Sequence, residues 1–242
     1  MKKIIIIIIL IANLSCTNED SSSSERGNAG LIESIISPSS DLNYSEDITT
    51  KFFYTEGNKL KRVEFVSKKN DIITLLESNY FYEGNLIIRI ETEQKGNYGI
   101  SIIDYFEYDS SQRLIKHKRI RNDRNIIENY EYSYMSNGNI LKTDVSKPNY
   151  SEELKFDNNN NLISDVNYEY TYDNMKSQYF GILGLEKIYF VYFIRPTFNY
   201  PVYYNNFITY KIGNITPIKY SYEYNSEGKP IRNNFGTFYN YY

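Results

Sequence analysis

The sequence predicts an all-β protein: an antiparallel meander of repeated β-hairpins forming a curved sheet or open barrel. Composition is the first reason. Among 242 residues there are 27 Tyr and 13 Phe but no Trp, and alanine occurs only at Ala12 and Ala29, so good strand formers far outweigh good helix formers. A recurring motif is the second reason: aromatic-x-aromatic, a short Gly/Asn/Asp/Ser-rich turn, then an aliphatic residue that restarts a strand. The third is the alternation between copies, as in Leu60-Lys61-Arg62-Val63-Glu64-Phe65, which gives one apolar and one charged face.

The chain opens with Lys2-Lys3, an uncharged apolar run from Ile4 to Ala12, and Leu14-Ser15-Cys16. That layout predicts a secretory signal peptide over residues 1–15 that is removed; the run is far shorter than the about 20 residues a membrane-crossing helix needs. Leu14-Ser15-Cys16 resembles the bacterial lipobox. The resemblance implies acylation of Cys16 and a membrane as partner through that lipid anchor. Residues 16–40 read as the lipidated cysteine and a polar tether, with Glu19-Asp20 and Ser21 to Ser24 too poor in apolar groups to pack. Acidic residues directly behind the lipidated cysteine resemble the display signal of Bacteroidota surface lipoproteins, which implies the outer membrane, facing the cell exterior or otherwise the periplasm.

Residues 41–242 read as a single hairpin-repeat domain. Phe52-Phe53-Tyr54, Tyr80-Phe81-Tyr82, Phe106-Glu107-Tyr108, Tyr132-Ser133-Tyr134, Leu154-Lys155-Phe156 and Tyr222-Glu223-Tyr224 each precede a turn. Asn, Asp and Gly suit those turns because they accept positive φ and bond their own backbone. Leu60, Leu86, Leu114, Ile140 and Leu162 restart the strands. Tyr108-Asp109 with Arg113-Leu114, and Tyr172-Asp173-Asn174, resemble the YD repeat. Tyr168 to Asn174, Ile212 to Ile218 and Tyr220 to Pro230 resemble a family of uncharacterised Bacteroides-type lipoproteins with a porin-like β fold. That resemblance implies the fold and lends no catalytic residues.

Residues 173–217 break the rhythm and read as an irregular insertion. Arg195-Pro196 and Tyr200-Pro201 place two prolines among aromatic rings, which argues against a central strand. Insertions of this kind carry function in repeat arrays, so Arg195, Tyr200, Tyr203 and Tyr204 are the candidate ligand-binding residues; the competing reading is a segment that only closes the sheet.

Several chemistries find no support. Cys16 is the only cysteine and is committed to lipid, leaving no thiol for a disulfide, metal site or nucleophile. His117 is the only histidine and sits in a basic strand without a nucleophile elbow; His-based zinc sites are excluded by number. No catalytic residue, cofactor or metal site is expected. The net charge of −3 with scattered Lys and Arg argues against nucleic acid. The densest basic run, Lys116 to Arg124, splits over two strand faces and reads as a solvated hairpin before an anion site. The expected function is therefore a non-enzymatic surface binding module for a glycan, peptide or protein, with a structural subunit of an envelope complex as alternative and a carboxylate-pair hydrolase as a third reading.

Overall fold

A computed structural model describes residues 29–38, 46–69, 72–95, 99–122, 124–147, 149–191 and 203–242. The expected signal peptide, Cys16, Arg195 and Tyr200 lie outside these residues. The described chain is all-β apart from one 3-10 turn at Leu185–Lys187. Its strands are β1 (Ile32–Ser37), β2 (Glu46–Thr55), β3 (Lys59–Lys69), β4 (Ile72–Glu83), β5 (Leu86–Lys95), β6 (Ser101–Tyr108), β7 (Leu114–Arg121), β8 (Ile126–Tyr134) and β9 (Ile140–Asp144). They continue as β10 (Ser151–Phe156), β11 (Leu162–Ser164), β12 (Tyr168–Lys176), β13 (Asn205–Ile212), β14 (Ile218–Lys219), β15 (Tyr222–Tyr224), β16 (Pro230–Asn233) and β17 (Phe238–Tyr241).

Each strand from β1 to β14 pairs antiparallel with the next. β15 pairs with β16, β16 with β17, and β17 returns to β1. The two ends of this ladder, β14 and β15, are successive pieces of chain. Tyr220 N–H donates to Ile208 O on one side and Ser221 O accepts from Asn234 N–H on the other. The sheet is thus rolled into a barrel left open only where β14 hands over to β15 without a ladder of its own.

A meander sends alternate turns to opposite ends. All the motif turns fall at one end, and so do the starts of β1 and the finish of β17, tied by Gly30 N–H to Tyr242 O at 2.9 Å. We call this the plug end. Its turns are fastened by side chains: Asp109 Oδ1 accepts from the N–H groups of Ser111 and Arg113, Asp157 Oδ1 from Asn159 and Asn161, and Asn225 Oδ1 from Glu227 and Lys229. This repeated Asx geometry is why Asp109, Asp157 and Asn225 stand at the first turn position of their copies.

The motif has a structural meaning residue by residue. Its first aromatic points inward and is buried, as at Phe52, Tyr80, Phe106 and Tyr132. Its last tyrosine bonds the backbone of the neighbouring hairpin: Tyr54 Oη donates to Ile32 O, Tyr108 Oη to Ile87 O at 2.6 Å and Tyr172 Oη to Leu162 O. These bonds link strands whose own turn lies at the far end, so the hydroxyls hold together neighbours that would otherwise splay at the plug end.

A register shift sits just before that tyrosine in five of these copies, between Phe53 and Tyr54, Phe81 and Tyr82, Glu107 and Tyr108, Thr171 and Tyr172, and Glu223 and Tyr224. A bulge adds one residue to the partner strand and sharpens its twist. Strict alternation therefore fails there: the buried positions are Leu60 and Val63, Ile87 and Ile90, Leu114 and His117, three apart where plain alternation expects two. The inward aliphatic of the second copy is Ile87 and not Leu86, because its turn is one residue shorter: Tyr82 pairs with Ile87 as Tyr54 pairs with Leu60.

The sequence limits need two corrections. β1 lies inside residues 16–40 expected as tether; its Ile32 is buried and its ladder joins β17 to β2. The irregular part of 173–217 is shorter than expected, since β12 runs through Lys176 and β13 starts at Asn205 with the two in register. Residues 177–191 enter the barrel as a plug. Tyr179, Ile182, Leu185, Ile188 and Phe190 are buried, with Tyr179 against Phe52 and Phe190 against Tyr132 and Phe156. Leu183 N–H donates to Asn58 O at 3.0 Å, Tyr82 Oη to Leu183 O, and Tyr189 Oη to Asn160 O. Gly184 (φ +82°) lies so close to the wall that a Cβ there would sit 2.8 Å from Asn85 O.

Candidate ligand-binding cavity

Above the plug the barrel interior turns polar. Beyond the inward aliphatic layer, the next inward positions on β4, β5, β6, β7, β9 and β10 are Ser78, Thr92, Asp104, Arg119, Asp144 and Glu152, all buried. Thr92, Arg119, Asp144 and Glu152 line a cavity of about 640 Å³ that reaches the far-end turns and touches the plug at Val191. The size suits a small molecule.

Asp104, His117 and Arg119 form its most buried cluster. Asp104 and His117 are each 2% exposed. Asp104 Oδ1 accepts from His117 Nε2 at 2.6 Å and from Arg119 Nε at 2.8 Å, while Oδ2 accepts from Arg119 Nη2 at 3.2 Å. Burial alone would raise the Asp104 carboxyl, but the His117 hydrogen bond and the Arg119 charge outweigh it and hold the group below the usual carboxylate range. Burial lowers His117, and although Asp104 opposes that shift, the neutral ring is favoured. The imidazole is held between Phe106, stacked at 5.1 Å, and Tyr130, stacked at 5.7 Å.

Since an ionised carboxylate only accepts, His117 Nε2 carries the proton and Nδ1 is left as an acceptor. Nδ1 is buried with no hydrogen-bond partner, and so is Tyr132 Oη two residues beyond the cross-strand neighbour of His117. Buried polar atoms are normally satisfied, and both residues line the cavity.

Two further ion pairs lie in the wall. Lys142 Nζ bonds Glu152 Oε1 and lies 4.7 Å from the Tyr130 ring centroid; Lys147 Nζ is 3.0 Å from Asp144 Oδ2. Burial pushes the Asp144 carboxyl up, yet its bonds from Ser146 and Lys147 leave it lowered. Among the described residues no group of three or more His, Cys, Asp and Glu is placed to hold a metal ion.

Of the candidates named from sequence, Tyr203 and Tyr204 lie elsewhere. Tyr203 is buried at the plug end against Tyr204, Phe180 and Tyr189, with ring centroids at 4.9, 5.9 and 6.0 Å; burial pushes its hydroxyl up to about 12. Tyr204 is half-buried beside it. The basic run does split over two faces: Lys116 and Lys118 point out, His117 and Arg119 point in. The inward half is an interior network and not a solvated surface. The signal for it was the bulge after Leu114, which places His117 where Val63 and Ile90 sit in the earlier copies.

No family model matches this chain, and no curated protein matches it. Among solved structures, a porin-like protein from Bacteroides uniformis ATCC 8492 is similar with a TM-score of 0.43 and 7% identity, over 86% of this chain and 96% of that one.

Proposed function

We propose that this is a lipid-anchored envelope protein, attached through Cys16, that binds a small molecule inside its barrel without catalysing a reaction on it. The observation that carries the reading is the polar cavity floored by the plug. Its carboxylates pair with Lys142, Lys147 and Arg119, which favours recognition over an acid–base pair, where one carboxyl must be pushed up to hold its proton. The outer face supports anchoring by lipid over spanning by strands. Lys61, Glu64, Glu91, Lys116, Lys118 and Glu131 ring it, where a lipid-spanning barrel presents an apolar band. β1 starts at the plug end, opposite the turns that the cavity reaches.

Two measurements test this. Replacing Cys16 by Ser is expected to move the full chain from the membrane to the soluble fraction. A panel of neutral sugars, sugar acids, amino acids and short peptides, followed by thermal unfolding, is expected to contain a stabilising compound. Ile102→Trp, which fills the cavity from its lining, is expected to abolish that stabilisation. Stabilisation that survives Ile102→Trp would place the site elsewhere, and a panel without effect would count against small-molecule binding.

A further inference from the structure

We infer that the cavity selects a neutral, hydroxyl-bearing molecule of monosaccharide size, whose hydroxyl groups donate to His117 Nδ1 and accept from Tyr132 Oη. This rests on the cavity being a binding site, as proposed above, and adds the chemistry of what it takes.

Charge balance is the first argument. The described lining carries Arg119, Arg121, Arg124, Lys142 and Lys147 against Glu128, Asp144, Glu152 and Asp165, and Asp104 behind Arg119 supplies the fifth negative charge. Five cations face five anions. Such a wall has no net field to draw in an ion, and a charged ligand would have to be desolvated without a matching countercharge. An apolar ligand fares no better, since it would leave a polar wall without partners.

Unmet hydrogen bonding is the second argument, and it is independent of the charges. His117 is held on three sides: Nε2 by Asp104, one ring face by Phe106, the other by Tyr130. The ring cannot turn to satisfy Nδ1 without breaking the bond to Asp104. The acceptor is thus fixed in place, and a hydroxyl, which both donates and accepts, is the simplest group that answers an acceptor and a phenol together.

The test follows His117 ring nitrogens by NMR in the intact chain while glucose, galactose and mannose are titrated, alongside gluconate, glucosamine and free glycine. A neutral sugar is expected to shift Nδ1 while Nε2 changes little, with gluconate and glucosamine bound at least ten-fold more weakly. Tyr132→Phe is expected to weaken the sugar about ten-fold, and its thermal unfolding checks that the fold is kept. His117→Gln is expected to abolish binding, with the unchanged Tyr132→Phe fold as the control for site integrity. Tighter binding of gluconate, glucosamine or glycine than of every neutral sugar would overturn this inference while leaving the cavity a binding site. Equal affinity in wild type and Tyr132→Phe, or no Nδ1 response to a sugar that stabilises the fold, would overturn the hydroxyl assignment, whereas no stabilisation by any compound would remove the binding reading itself.

Discussion

The two halves of the barrel are built from the same hairpins but solve opposite problems. The plug half is closed. Asx turns fix its rim, tyrosine hydroxyls tie neighbouring hairpins, and residues 177–191 fill its lumen with Ile182, Leu185, Ile188 and Phe190. The far half is open. Its lumen carries paired charges around a cavity, and its turns leave large apolar side chains in solvent, with Ile72 70% and Ile73 65% exposed beside Ile127, Val166 and Ile215. One repeat can therefore give stability at one end and a site at the other, because the bulge separates the two registers within each strand.

The sharpest way to break the far half is Arg119→Met. It leaves the Asp104 carboxylate buried with His117 alone, and an expected loss of about 3–5 kcal/mol would be read in denaturant unfolding. Ile188→Ala attacks the plug half, removing a fully buried side chain at an expected cost of about 2–4 kcal/mol while leaving the cavity wall in place. If both variants lost ligand binding equally, the halves would not be separable. Gly184→Ala places a Cβ 2.8 Å from Asn85 O at positive φ, and an expected 1–3 kcal/mol, about the range for backbone strain, would report how tightly the plug seats.

Smaller effects sharpen the contrast. Tyr108→Phe deletes a 2.6 Å bond to Ile87 O and is expected to cost about 1 kcal/mol. The pH response should come from the far half. His117 is buried neutral with its pKa lowered, so the unfolded chain takes up a proton first as pH falls. Stability is then complete above about pH 6.5, the ordinary histidine value, and declines below it. Asp104, also lowered, adds a further loss below about pH 4. In His117→Gln the decline between pH 6.5 and 5 should vanish in the same unfolding titration. The exposed pair Lys211 and Glu169, 3.4 Å apart, should matter least, with Lys211→Ala changing stability by less than about 1 kcal/mol.

Much of the plug half was legible in the sequence. Aromatic-x-aromatic followed by Asp, Asn or Gly names the strand ends, the turn and the buried ring at once, as Phe106 to Asp109 shows. The hydroxyl ties were not legible, since Tyr108 reaches a carbonyl on the preceding hairpin that no local pattern marks. The far half was hidden by the bulge: counted in twos from Leu114, His117 falls on the outside, and only the extra residue on β7 turns it and Arg119 inward. β1 was missed because Ile32-Glu33-Ser34-Ile35-Ile36-Ser37 is short and follows a polar run, while its strand character comes from partners far along the chain. That Tyr203 packs inside the plug end was not legible, because rings near prolines carry no sign of which way they face.

The seam at β1 has a consequence for how the chain reaches this structure. Its ladder with β17 pairs Ile32 with Tyr241, 209 positions apart, and Asn240 Nδ2 donates to Ser34 Oγ across it at 2.9 Å. Every other neighbour in the ladder can form as the chain emerges, hairpin by hairpin, whereas this closure waits for the last strand and must bring distant segments together. Until then β1 and β17 stand as unpaired edges, open to another copy of the chain. Docking of β17 on β1 is therefore the step that separates a folded monomer from a template for aggregation.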